Sequence, residues 1–246
     1  MVTALKTSIN ILLVFLFAAC TSVPDERMTP YVDFPETREF TARTLSLDSA
    51  LFRYPYRVRV QDDKAVVLDL HGTEYFFHAF HYPGFHYLSS FGKRGDAPEE
   101  MLSAENLRWN GNFLWTLDSN KSELTRLGFA SSGDSLLRLE AVSLDEELLR
   151  ALDFVQYDDS TFIIPDYSGD SRFCLVSRQG KLLHKIGTIP TTDEDALKNA
   201  HPALAQAWRS FIDYNPRNGV LAAVTQLGEV LEIYNLKDST HIVRIG

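Results

Sequence analysis

Cysteine is scarce in this chain. The 246 residues hold two, Cys20 and Cys174. Cys20 closes an apolar N-terminal segment, which leaves Cys174 alone in the body of the protein, and one cysteine makes no internal disulfide. Cys174 stands in the run Phe173-Cys174-Leu175-Val176 and reads as a small buried residue rather than a nucleophile. Basic runs are missing too. With 24 Lys and Arg against 33 Asp and Glu, the formal charge is −9, and nucleic acid is excluded as a partner because phosphate binding needs clustered cations. No Gly-x-Ser-x-Gly nucleophile elbow occurs, so no local motif announces a serine hydrolase. The apolar stretch at residues 9–19 is shorter than the ~20 residues a membrane-spanning helix requires.

What the chain has instead is a period. Turn pairs between short apolar runs fall at Asp62-Asp63, Asn110-Gly111, Asp158-Asp159 and Asn215-Pro216, at offsets of 48, 48 and 57. An aspartate closes the second run of a unit at Asp69, Asp118 and Asp166, at offsets of 49 and 48. A further turn recurs at Gly84, Gly133, Gly180 and Asp238, at offsets of 49, 47 and 58. Three independent markers agree, and periods of this length signal propellers, solenoids or arrays. Asn-Gly between alternating runs is a strong hairpin signal. Each unit holds four short runs of strand character, as in residues 154–157, 162–164, 173–177 and 182–186. Four antiparallel strands per unit define a β-propeller blade, and a helical solenoid would need helical periodicity in every unit. The expected fold is therefore all-β, with blades at about 54–92, 104–142, 151–187 and 209–246.

The fourth unit is longer, and the extra residues have helical character. Thr191 or Thr192 is a candidate cap, followed by the acids Asp193, Glu194 and Asp195. Pro202 suits the start of a second helix. Leu204, Ala207, Trp208 and Phe211 share one face at helical spacing. A small helical insertion around 192–211 is expected, acting either as a lid on a blade or as a partner-binding element. Upstream, residues 38–45 alternate weakly and could form a lone strand.

The N-terminus carries an address. Lys6, the apolar segment 9–19, small residues Ala18 and Ala19, then Cys20 and a polar stretch fit a secretory signal. Cysteine directly after Ala-Ala makes the segment resemble a bacterial lipoprotein signal, with Phe17 where that motif usually has Leu. The resemblance implies removal of residues 1–19, lipidation of Cys20, and a tether over residues 20–37. The rival reading is an ordinary signal peptide with an incidental cysteine. Removal of residues 1–19 takes one Lys and no acid, so the mature charge is 23 − 33 = −10. The membrane partner would then be held by acyl chains alone, without a polybasic patch.

The blade sequences carry a second likeness. Phe91-Gly92-Lys93-Arg94-Gly95, Pro98-Glu99-Glu100, Leu107-Arg108-Trp109 and Leu117-Asp118-Ser119-Asn120 resemble the Phe-Gly-x-x-Gly … Asp-x-x-Asn pattern of NHL-type blades. With the lipoprotein signal, most of residues 36–246 resembles the TolB-like six-bladed β-propeller lipoproteins of Gram-negative bacteria. Ala97 and Met101 depart from that pattern in a loop. The resemblance implies a cell-envelope protein, lipid-anchored in the outer membrane. Four blades are visible where the family has six. The expectation is thus an N-terminal part of a longer propeller, with apolar surface exposed on blades one and four and the strand at 38–45 reserved for a final blade. A closed four-bladed ring is the competing arrangement.

Candidate chemistry is thin. His71, His78, His81 and His86 lie close in sequence, but His78 and His81 point to opposite faces of a regular strand and cannot share one ion, so no metal site is expected. Asp69, Asp118 and Asp166 recur once per blade. They form either a ring of acids for a cation or amine, a weak binding-site candidate, or a set of Asx turns. The first-strand runs, Arg57-Val58-Arg59-Val60, Leu107-Arg108-Trp109, Phe154-Val155-Gln156 and Phe211-Ile212-Asp213, share no acid pattern. No cofactor is implied and no catalytic residue is assigned. The leading expectation is a non-enzymatic envelope module that binds a protein or small-molecule ligand. Its rival is a metal-dependent hydrolase or lyase of the lactonase kind acting in the central channel.

Overall fold

A short strand, β1 (Met28–Pro30), precedes four four-stranded antiparallel sheets in the computed structural model, which describes residues 28–30, 36–42, 44–45 and 52–245. Blade 1 contains β2 (Pro55–Gln61), β3 (Lys64–Asp69), β4 (Tyr75–His81) and β5 (His86–Lys93). Blade 2 contains β6 (Ala104–Asn110), β7 (Phe113–Asp118), β8 (Glu123–Phe129) and β9 (Leu136–Ser143). Blade 3 contains β10 (Val155–Asp158), β11 (Thr161–Pro165), β12 (Phe173–Ser177) and β13 (Leu182–Ile186). Blade 4 contains β14 (Ser210–Asn215), β15 (Val220–Thr225), β16 (Val230–Asn235) and β17 (Thr240–Ile245). Every blade is a meander in chain order, so each strand pairs with its neighbour through a short turn.

The turn markers sit at the hairpin tips. Asn110 pairs with Phe113 across the tip, and Gly111 takes a φ of 53° that its missing Cβ permits. Asp158 accepts hydrogen bonds from the Ser160 amide and the Thr161 hydroxyl at the matching place in blade 3. Gly180 has a φ of 83°, and a Cβ there would lie 2.0 Å from the Ser143 carbonyl oxygen, so blade 3 can approach blade 2 only over a glycine.

The middle strands of blades 1 to 3 are largely buried on both faces, whereas β15 and β16 of blade 4 alternate between buried and open positions. In β3 and β4 the runs Ala65-Val66-Val67-Leu68 and Phe76-Phe77-His78-Ala79-Phe80 are sealed from solvent. Both faces of such a blade are covered, by a neighbouring blade or, on blade 1, by Phe52 and Phe85, which is why these strands read as continuous apolar runs rather than alternating ones. Three cores fill the seams. Phe77, Leu107 and Leu114 pack between blades 1 and 2. Trp115, Phe154 and Phe162 pack between blades 2 and 3. Ile163, Phe173, Ile212 and Tyr234 pack between blades 3 and 4. Each large side chain sealed in this way contributes about 1.5–3 kcal/mol over exposure.

The four blades stand in a ring about one axis, with the first strands innermost. Blade 4 meets blade 1 there through Arg57, whose guanidinium carbon lies 4.9 Å from the Phe211 ring centroid. Among the described residues no hydrophobic cluster joins those two blades; the far face of blade 1, at Ala65, Val67 and Phe80, is covered by Phe52 and Phe85. Phe211, Val224 and Leu231 stay partly exposed on blade 4, as do Val58 and Val60 on blade 1.

Three expectations are corrected. Residues 38–45 form no strand where they are described, and Phe40 is exposed. It is Met28–Pro30, within the expected tether, that pairs in parallel with β17 as a fifth strand of blade 4. Backbone pairing needs only an extended segment at a free sheet edge, and the mixed charges of Arg38, Glu39 and Arg43 gave no real alternation. In the insertion, helix α1 (Glu194–Asn199) is capped by Asp193, whose side chain accepts from the Ala196 amide, rather than by a threonine. Helix α2 (His201–Ala207) begins with Pro202 in its first turn and buries Leu204 and Ala205. Phe211 does not extend its apolar face, because the chain has already entered β14. The signal segment and Cys20 lie outside the described residues.

Candidate functional site

The recurring aspartates are held by backbone. Asp69 accepts hydrogen bonds from the amides of Arg53 at 2.8 Å and Tyr54 at 2.6 Å. Asp118 accepts from Leu102 and Ser103 before its own blade's first strand, and from Asn120 and Lys121 in the turn that follows it. Asp166 accepts from Ser168 and Ser171, and Lys185 lies 3.1 Å from it. All three are buried, one in each of three blades. The oxygens of Asp69 and Asp118 clamp the entry to their blades to the end of the second strand, while those of Asp166 hold the loop that follows its strand and pair with Lys185. Asp118 and Asp166 each close an Asx turn, through the amides of Asn120 and Ser168, whereas Asp69 bonds only the amides that lead into its blade.

The histidines disperse as well. His78 Nδ1 lies 2.8 Å from Ser90 Oγ, His81 lies 3.4 Å from Asp63, and His71 packs on Tyr54. Burial holds the His78 imidazole below its ordinary value, with Asp69 opposing that shift. Among the described residues, no group of three or more His, Cys, Asp or Glu gathers to hold a metal ion.

The constellation that does form lies on the axis, where Asp153 is the hub. It precedes β10, and its carboxylate receives Asn106 Nδ2, Arg108 Nη2 at 3.1 Å, and the amides of Phe154 at 2.8 Å and Ile212 at 3.0 Å. Blades 2, 3 and 4 are thereby fastened to one buried acid. Arg108 spans the axis further, donating to the Ile212 carbonyl and, at 2.8 Å, to Asp213. Nothing in the sequence marked Asp153, since it stands outside the periodic markers. Its only signal was an acid set directly before an apolar first strand.

Above this hub a cavity of about 290 Å³ opens among the first strands. Blade 1 contributes Arg59, blade 2 Arg108 and Trp109, blade 3 Gln156, and blade 4 Asp213. Arg59 donates to the Leu107 carbonyl at 3.3 Å. Its guanidinium is held below the ordinary arginine value by burial and then by the nearby charges of Arg108 and Arg57, with Asp213 and Asp153 acting the other way. A second buried cluster lies in the seam of blades 3 and 4. Arg172 there bonds Glu232, the Ser210 hydroxyl and the Trp208 carbonyl, while the Tyr234 hydroxyl donates to the other Glu232 oxygen. That cluster is closed on itself and is structural.

Four-stranded meanders set radially about an axis, with inner strands that meet over a polar cavity, define a β-propeller. The chain belongs to the TolB-like 6-blade propeller-like family, whose model matches residues 33–246. No curated protein matches it in sequence. Among solved structures it is similar to a streptogramin B lyase, at 10% identity and a TM-score of 0.52, over 80% of this chain and 56% of that one. It is also similar to virginiamycin B lyase from Staphylococcus aureus, at 11% identity and a TM-score of 0.49, over 78% and 56%. A functionally unknown protein from Desulfotomaculum acetoxidans matches at 13% identity and a TM-score of 0.47, over 75% and 53%. The chain spans little more than half the length of these three structures. At such identities the likeness concerns the fold alone.

Proposed function

We propose that this chain is a lipid-anchored propeller of the cell envelope, tethered to the outer membrane through Cys20, that works as a non-enzymatic binding module with its ligand at the axial mouth. One observation carries the site: all four first strands deliver side chains into a single cavity. A rigid ring that converges polar groups on an apolar-walled hollow is the usual form of a small-molecule site. The address is supported by family membership and by the Ala-Ala-Cys20 junction. Among the described residues no helix is long and apolar enough to cross a membrane.

The rival, a metal-dependent hydrolase or lyase, needs acids free to ligate. Asp153 and Asp213 are instead engaged by Arg108 and backbone amides.

Two experiments test the proposal. Cys20→Ala is expected to leave the protein unprocessed or soluble, whereas an unchanged membrane fraction defeats the anchor. Purified protein is expected to show no turnover of lactones or esters with added divalent ions. Metal-dependent turnover defeats the binding-module reading.

A further inference from the structure

The axial mouth concentrates positive charge in an acidic protein. Among the residues that line the cavity Arg59 and Arg108 supply two positive charges and Asp213 one negative, so the site carries about one net positive charge in a chain of formal charge −9. The acids are also unevenly available. Asp153 is buried and saturated, with two of its partners being backbone amides. Asp213 is largely exposed and binds Arg108 Nη1. Neither forms an ion pair with Arg59, whose one hydrogen bond among the described residues is the 3.3 Å contact from Nε to Leu107. Arg57 is engaged through its neighbouring rings, Tyr56 and Phe211.

Unused donors accompany that charge. The Nε group of Arg108 and the indole Nε1 of Trp109, both of lining residues, are buried and have no hydrogen-bond partner among the described residues. A buried donor left without a partner carries a desolvation penalty, so a site with donors in excess favours an acceptor-rich guest. Arginine's planar fork suits carboxylate and phosphate oxygens in particular. The walls set the remainder of the guest. Trp109, Trp115, Phe154, Tyr214 and Pro216 line the same hollow, so a flat apolar body would be covered while its charged end meets arginine. A volume of about 290 Å³ lies at the small end of ligand pockets, which begin near ~300 Å³.

We infer that the axial mouth binds a small organic anion, an aromatic or apolar body bearing a carboxylate or phosphate group, with Arg59 as its main charge partner. This rests on the binding-module reading and names the ligand class. Positive charges crowded around Arg59 repel one another, and an anion between them relieves that repulsion. Gln156, whose Oε1 is buried and unpartnered, offers an acceptor for any hydroxyl or amide the guest carries.

The test is calorimetric titration of the detergent-solubilised full chain with benzoate, phenyl phosphate and the neutral benzyl alcohol. At least one of the two anions is expected to bind, and which of them binds tells carboxylate from phosphate. Benzyl alcohol should bind at least tenfold more weakly, and raising the salt should weaken the anion, since partly exposed charges are screened over ~10 Å at about 0.1 M. Arg59→Gln should lose at least tenfold in affinity, Arg59→Lys should fall between, and Lys198→Gln, on the distant exposed α1, should bind as the parent does. All variants are to be compared at matched melting temperature, and Arg59→Lys keeps the test alive should the glutamine variant unfold. Silence of both anions up to about 10 mM overturns the inference, because weaker binding lies beyond any specific site. Equal binding of benzyl alcohol, or unchanged anion binding by Arg59→Gln, overturns it too while leaving the mouth a binding site. Metal-dependent turnover would instead fell the reading beneath it.

Discussion

Arg172 of blade 3 donates two hydrogen bonds to one carboxylate oxygen of Glu232 in blade 4, at 2.9 Å from Nε and 2.5 Å from Nη2, with both side chains sealed from solvent. The pair joins two blades where their apolar core ends. Phe173 and Trp208 flank the guanidinium, the Ser210 hydroxyl and the Trp208 carbonyl accept from Nη2 and Nη1, and Tyr234 bonds the second Glu232 oxygen. The sum of Coulomb attraction and desolvation at such a site is small, yet breaking it on one side strands a buried charge.

Arg172→Met alone and Glu232→Leu alone are therefore each expected to destabilise the protein by about 3–5 kcal/mol in urea unfolding, whereas the double variant should recover most of that loss. Additive losses in the double variant would show that packing rather than charge holds this seam.

Asp118 is expected to be among the most sensitive acids. Asp118→Asn replaces an acceptor-only carboxylate with a group that turns an NH₂ towards backbone amides already donating at 2.7–3.3 Å. A loss of about 2–4 kcal/mol in unfolding free energy is expected, with ligand binding at the mouth unchanged once folding is matched. A cost below about 0.5 kcal/mol, the level of an ordinary surface change, would deny the clamp.

His78 and His241 are expected to make the fold acid-sensitive. Burial is the largest cause in each case and lowers both imidazoles; Asp69 opposes the shift at His78 and Glu232 at His241. The folded state thus binds fewer protons than the unfolded chain below the unfolded-state value of about 6.5, and stability falls as pH drops through that value. Each such histidine adds a slope of up to about 1.4 kcal/mol per pH unit just below it. His78→Asn should flatten the decline in chemical-denaturation stability between pH 7 and pH 5, and an unchanged slope would refute the assignment.

Cys174 is expected to be chemically silent. Burial is the main cause that pushes its thiol up to about 12, so almost no thiolate is present at neutral pH. In a Cys20→Ser protein, a disulfide reagent should label no thiol natively and one after unfolding. Fast native labelling would place Cys174 on an exposed path.

Periodic turns gave the blades away in the sequence because a hairpin tip and the Asx clamp behind it are local structures. Asn110-Gly111 needs only its own backbone, and Asp118 bonds amides no more than 16 residues away. The doubly buried strands were legible for a similar reason: a run such as Phe76-Phe77-His78-Ala79-Phe80 has no face to spare for water. The helical insertion was legible in its length and its proline, but not in its cap, since Asp193 and its threonine neighbours offer equivalent side-chain acceptors and only the backbone turn chooses among them.

Everything that depends on two blades meeting was decided by the tertiary structure. Asp153 and Asn106 are 47 residues apart, Arg108 and Asp213 are 105 apart, and Arg172 and Glu232 are 60 apart. Spacing alone does not reveal these contacts: Asn106 and Asp153 stand about one blade period apart, and Arg108 and Asp213 hold matching places just before the turns at Asn110 and Asn215, yet only the ring shows that their side chains meet. The fifth strand at Met28–Pro30 belongs with them, since a free strand edge accepts whichever extended segment reaches it. The sequence by itself thus determined the blade, which is built from neighbours along the chain. The ring determined the mouth, because its arginines become one site only when four first strands turn towards a common axis.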